Sequence, residues 1–114
     1  MKRKYCRVIE EYKAAYPDPK SFAKGEILKF EKKESEWNGW VWCKNESGDG
    51  RWIPENYLKI YKESCRVLRN YEATELTVKV GEKLEIKKIE SDWIWAINEE
   101  GKRGWVPLKC IQIL

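Results

Sequence analysis

Four cysteines, nineteen carboxylates and seven tryptophans are the residues of this 114-residue chain best equipped for chemistry. The chain has no histidine. That removes Ser-His and Cys-His nucleophile pairs and every imidazole metal site. Cys6, Cys43, Cys65 and Cys110 include no CxxC pair, so zinc-ribbon spacing is absent. They read first as small buried hydrophobes, with a four-cysteine metal site or a disulfide as the alternatives. The carboxylates are scattered, with no phosphate-cradling glycine loop and no nucleophile beside a base, so no enzyme is expected. Neither is a cofactor or metal. What remains is recognition, because an exposed indole offers a large apolar face and an N–H donor.

The elements that must position these tryptophans occur twice. Cys6-Arg7-Val8-Ile9-Glu10-Glu11-Tyr12 reads like Cys65-Arg66-Val67-Leu68-Arg69-Asn70-Tyr71, 59 residues later. Gly25-Glu26-Ile27-Leu28 returns as Gly81-Glu82-Lys83-Leu84, 56 residues later. Trp40-Val41-Trp42-Cys43 and Trp52-Ile53-Pro54 return as Trp93-Ile94-Trp95-Ala96 and Trp105-Val106-Pro107, both 53 residues later. The second copy therefore carries two three-residue deletions, which fall in connections and spare the elements.

Each copy reads as short strands. Leu28 and Phe30 alternate with Lys29 and Glu31, and Leu84 and Ile86 with Glu85 and Lys87. Asn45-Glu46-Ser47-Gly48-Asp49-Gly50 and Asn98-Glu99-Glu100-Gly101 have the chemistry of hairpin tips. Pro54 and Pro107 end strands, because proline donates nothing to a ladder. If Val41 and Cys43 face the core, Trp40 and Trp42 face outward, and likewise Trp93 and Trp95. Trp42 and Trp95 are expected to pack on a neighbouring strand or between the copies. Trp37 either extends a binding surface or caps the fold.

In order and spacing these motifs resemble the Src homology 3 domain, twice, over nearly the whole chain, and look closer still to a variant prokaryotic subgroup. Val8-Ile9-Glu10-Glu11-Tyr12 stands at the family's opening. Ser21 to Leu28 continues it, and Trp52-Ile53-Pro54-Glu55-Asn56-Tyr57-Leu58 closes the first copy. Tyr16-Pro17-Asp18-Pro19 and the Glu36–Cys43 stretch carry the likeness to the variant subgroup. The resemblance implies an all-β protein of two tandem five-stranded barrels, residues 1–61 and 62–114. It also implies an aromatic groove that reads extended polyproline-type peptides. Carried over, the first groove consists of Tyr12, Trp40, Trp52, Pro54 and Tyr57. Asp18, Glu34 and Glu36 lie in its flanking loops, able to pair with a cationic ligand side chain. The second, weaker groove keeps Tyr71, Trp93, Trp105 and Pro107. Two departures stand out. The family's first opening tyrosine is Glu10 in one copy and Arg69 in the other, and the closing tyrosine is Cys110 in the second.

Partners follow from the same reading. A protein or peptide ligand is expected, with a structural module of vestigial grooves as the alternative. The net charge is only +4, and Lys32-Lys33 and Lys87-Lys88 are interleaved with glutamates, so nucleic-acid binding by a small aromatic barrel is the less favoured reading. No apolar run approaches the roughly 20 residues that span a bilayer, and no apolar stretch follows the basic N-terminus. A cytoplasmic protein with reduced cysteines is expected. Between the copies only Lys62-Glu63-Ser64 remains as linker, at most about 10 Å long. A monomer with the two barrels in contact, through Ile60 and Tyr61, is therefore expected.

Overall fold

A computed structural model describes residues 3–31 and 39–114, so Glu34, Glu36, Trp37 and Lys32-Lys33 lie outside the described residues. The strands are β1 (Lys4–Val8), β2 (Ser21–Phe22), β3 (Ile27–Glu31), β4 (Trp40–Lys44), β5 (Gly50–Pro54), β6 (Leu58–Ile60), β7 (Ser64–Val67), β8 (Tyr71–Glu72), β9 (Lys83–Glu90), β10 (Trp93–Ile97), β11 (Arg103–Pro107) and β12 (Ile111–Ile113). Two three-residue 3-10 turns, Glu55–Tyr57 and Leu108–Cys110, follow the two prolines. The all-β expectation holds. No helix among the described residues is long and apolar enough to cross a membrane.

The pairing of these strands does not follow the repeat. One sheet runs β5-β4-β3-β7-β6 and the other β11-β10-β9-β1-β12. β7, the opening strand of the second copy, thus sits among the strands of the first. β1 sits among those of the second, with Cys6 opposite Leu84 on β9 and Ile113 on β12. The compact units follow this exchange. A central unit comprises residues 19–73, and an N/C unit comprises residues 1–18 with 74–114. The expected boundary after residue 61 separates the sequence copies; the units are cut elsewhere.

The short linker supplies the reason. Lys62 and Glu63 form the tip of a hairpin, closed by the Tyr61 amide donating to the Ser64 carbonyl at 2.8 Å. β6 and β7 then pair as Leu58↔Val67, Lys59↔Arg66 and Ile60↔Cys65. A hairpin closes a far shorter loop than the long-range pairing of β1 with β6 would, and loop closure grows costlier with length. The slot beside β6 is therefore filled by the strand that follows it. β1 carries the same Cys-Arg-Val triplet and fills the equivalent slot beside β12.

Both cores are built alike. In the N/C unit Cys6, Val8, Leu76, Val78, Leu84, Ile86, Ile94, Ala96, Val106, Cys110 and Ile111 form one buried cluster. In the central unit Phe22, Leu28, Cys43, Ile53, Leu58, Cys65 and Val67 are buried. One connection differs sharply. β9 and β10 are joined by Ser91 and Asp92 alone, at φ 44° and 69°, the conformation of a tight hairpin turn. This is where the second copy has lost three residues.

Candidate functional site

The exchange divides the expected groove. Trp40, Trp52, Pro54 and Tyr57 all belong to the central unit, whereas Tyr12 and Asp18 belong to the N/C unit. Tyr71, expected in the second groove, takes the place of Tyr12. Its ring meets Tyr57 edge-on at 5.2 Å, and its hydroxyl donates to the Trp52 carbonyl at 3.0 Å. β8 holds it there, pairing with β2 as Phe22↔Tyr71.

In this platform Trp40 lies opposite Pro54, and Trp42 opposite Trp52. Trp40 and Trp52 are half-buried, while Trp42 is buried. Trp42 meets Trp52 edge-on at 5.2 Å, the cross-strand packing expected of it in place of an outward face. Gly50 makes room for that indole, since a Cβ at this position would fall 2.4 Å from the ring. Pro54 and Tyr57 are also buried. The cover over Tyr57 comes from the other copy: the Arg69 guanidinium lies 3.9 Å above its ring centre. Arg69 is held beside the 3-10 turn because the Leu68 amide donates to the Tyr57 carbonyl at 2.8 Å.

The N/C unit assembles the matching platform from Tyr12, Trp93, Trp105 and Pro107. Tyr12 bridges to Val78 through paired backbone hydrogen bonds of 3.0 and 2.9 Å. Its ring packs edge-on against Trp93 at 5.6 Å. Its hydroxyl donates to the Glu75 carboxylate at 2.5 Å, and the Ala15 amide donates to the same oxygen at 3.0 Å. Burial, then this carboxylate, raises the Tyr12 phenol above the ordinary tyrosine range. Trp93 and Trp105 are buried at 8% and 2% exposure, and Pro107 with them. Trp95 packs on Trp105 at 5.4 Å. Gly104 admits the Glu75-Leu76 backbone, which a Cβ would meet at 2.7 Å. Glu10, at the position of Arg69, lies beside Cys110, at the position of Tyr57. Its amide donates to the Cys110 carbonyl at 3.2 Å. Burial, and secondarily the Glu10 charge, raise the Cys110 thiol.

The cysteines behave as core residues: all four are buried and free. Cys43 and Cys65 bring their sulfurs to 3.7 Å. That contact and burial hold Cys43 in its thiol form, above the usual cysteine range. No cluster of metal-ligating side chains occurs among the described residues. A cleft lined by Arg3, Lys4, Lys87 and Lys88 also carries Glu85, which pairs with Lys87 at 3.0 Å.

The family model of the variant SH3 domain matches residues 5–61 and again 64–114. The chain belongs to this family. SH3 domains generally mediate protein–protein interactions and are generally non-catalytic. No curated protein and no solved structure matches the chain. The two SH3 matches follow the sequence copies, so the family pattern is carried by each copy even though each folded unit draws on both. Three residues that complete the SH3 platforms escaped the sequence reading in these roles: Tyr71 beside Tyr57, Arg69 above it, and Glu75 beneath Tyr12. The repeated Cys-Arg-Val triplet next to a three-residue linker was the signal that could have found them.

Proposed function

We propose that this protein is a non-enzymatic recognition module that binds an extended protein segment, proline-containing segments included, on the central unit. Its binding face is formed by Trp40 and Trp52, backed by Pro54, Tyr57 and the borrowed Tyr71. The observation that carries this reading is the unequal exposure of two equivalent residues. Trp40 stays partly exposed, whereas Trp93 is buried against Tyr12. Partly exposed indoles on adjacent strands of a family built for peptide recognition are suited to act as anchors. Trp40→Ala should weaken ligand binding at least about tenfold, or roughly 1.4 kcal/mol. A peptide-array or pull-down screen followed by chemical-shift mapping supplies the ligand and the measurement. Unchanged affinity in Trp40→Ala would falsify the assignment.

A second reading has its own support. Pro54, Tyr57, Tyr71, Trp93, Trp105 and Pro107 are all buried, which suits a structural module with vestigial grooves. Iodide quenching of the wild type against Trp40→Phe separates the two, since a ligand-ready Trp40 is quenched and a covered one is not. Closure of both units within one chain supports a monomer. A reducing, cytoplasmic setting, in which four buried thiols stay reduced, is part of this proposal.

A further inference from the structure

Arg69 stands where the family's opening motif places its first tyrosine, and it has not simply vacated that place. Its guanidinium carbon lies over Tyr57, 3.9 Å from the ring centre, while the residue as a whole remains exposed. A guanidinium stacked on an aromatic face is held in one orientation and keeps its N–H edge for hydrogen bonding. That edge matches a carboxylate, which it can take in a two-point contact. Among the described residues, no carboxylate forms an ion pair with Arg69, unlike Lys20 with Asp49 or Lys44 with Glu31 in the same unit. The exchange also removes one of the three acids expected to attract a cationic ligand here. Asp18 belongs to the N/C unit, and in the arm segment of the first copy that the central unit retains, from Pro19, the first charged residue is Lys20. The equivalent place in the N/C unit holds Glu10, the opposite charge.

We infer that the central unit selects an extended peptide carrying an acidic side chain, aspartate or glutamate, which Arg69 receives above Tyr57. This rests on the peptide-binding reading of the Trp40–Trp52 face and adds the charge of the ligand to it. The occupant of the first pocket is then an anion, in place of the proline that two tyrosine walls would hold.

The test uses the full chain and an array of proline-rich decapeptide frames. In each frame one position at a time is glutamate, glutamine or arginine. The best frame is remade with a fluorescein label and measured by anisotropy against wild type, Arg69→Gln, Arg69→Glu and Trp40→Ala. Because Arg69 is exposed, its variants should keep the fold, and near-ultraviolet circular dichroism checks that they do. The expected result is a preference of tenfold or more for the glutamate peptide over its glutamine twin in the wild type. That preference should vanish in Arg69→Gln, turn toward the arginine peptide in Arg69→Glu, and weaken as salt is raised. Binding that is lost in Trp40→Ala but indifferent to residue 69 overturns the inference and leaves the peptide-binding reading standing. A wild-type preference for arginine peptides overturns it as well. Retention of no frame by any variant overturns both.

Discussion

The central and N/C units are assembled from the same parts and finish them differently. Each has a proline-capped strand, a 3-10 turn, and an arm residue from the other copy. In the central unit the borrowed arm brings Arg69 over Tyr57, and Trp40 stays partly exposed. In the N/C unit the borrowed arm brings Tyr12 onto Trp93, and Glu75 anchors the phenol. One indole stays partly exposed and its twin becomes core. Two copies of one domain pattern can thus finish their aromatic platforms differently without losing any strand, by changing which side chain closes over which ring.

The comparison breaks most completely if the linker is what enforces the exchange. Inserting about ten Gly/Ser residues between Lys62 and Glu63 removes the hairpin constraint and lets each copy reclaim its own first strand. The cysteines report the outcome. In the native protein Cys65 lies 3.7 Å from Cys43. Diamide, which accepts the two protons and two electrons of a forming disulfide, should link Cys43 to Cys65 in the native chain. In the extended chain Cys43 should link to Cys6, as peptide mapping would reveal. A Cys43–Cys6 product from the native chain would overturn the exchange.

Next in size is Trp93→Ala. Removing a buried ring should destabilise the N/C unit by about 3 kcal/mol, and ligand affinity should stay unchanged. Trp40→Ala should do the reverse, so thermal melts and binding assays on the pair read the division directly. The smallest effect is expected of Tyr12→Phe, which leaves the buried Glu75 carboxylate with the Ala15 amide and without its phenol donor. A loss of about 1–2 kcal/mol is expected. The phenol's ionisation is raised in the folded state, so the stability it adds is fully present below the unfolded tyrosine value, near pH 10. It is lost as pH rises beyond that. Alkaline unfolding curves should therefore be steeper for the wild type than for Tyr12→Phe.

Much of this was legible in the residues themselves. Period-two alternation, the hairpin tips at Asn45–Gly50 and Asn98–Gly101, and the strand-ending prolines place the strands of each copy. Alternation alone pointed Trp42 and Trp93 outward; instead Trp42 is buried against Trp52 and Trp93 against Tyr12. Ownership of the opening strands did not follow. Cys6-Arg7-Val8 and Cys65-Arg66-Val67 are identical, so side-chain complementarity cannot decide which slot each fills. The deciding quantity is the loop length between β6 and β7, a property of the connection and not of either strand. The fate of Tyr57 and Trp93 was hidden for the same reason. Each is covered by a residue that reaches it only once the exchange has been made.

The nesting of residues 19–73 between two segments of the N/C unit has a consequence for the order of synthesis. The central unit possesses all its strands as soon as Ala73 has been made. β1 is translated first, yet β9 and β12, the strands it pairs with, are among the last. Until β7 emerges, the vacant place beside β3 is open to β1, which has the matching triplet. The place beside β3 thus fits both an early-made and a later-made strand, and in the folded chain it belongs to the later one.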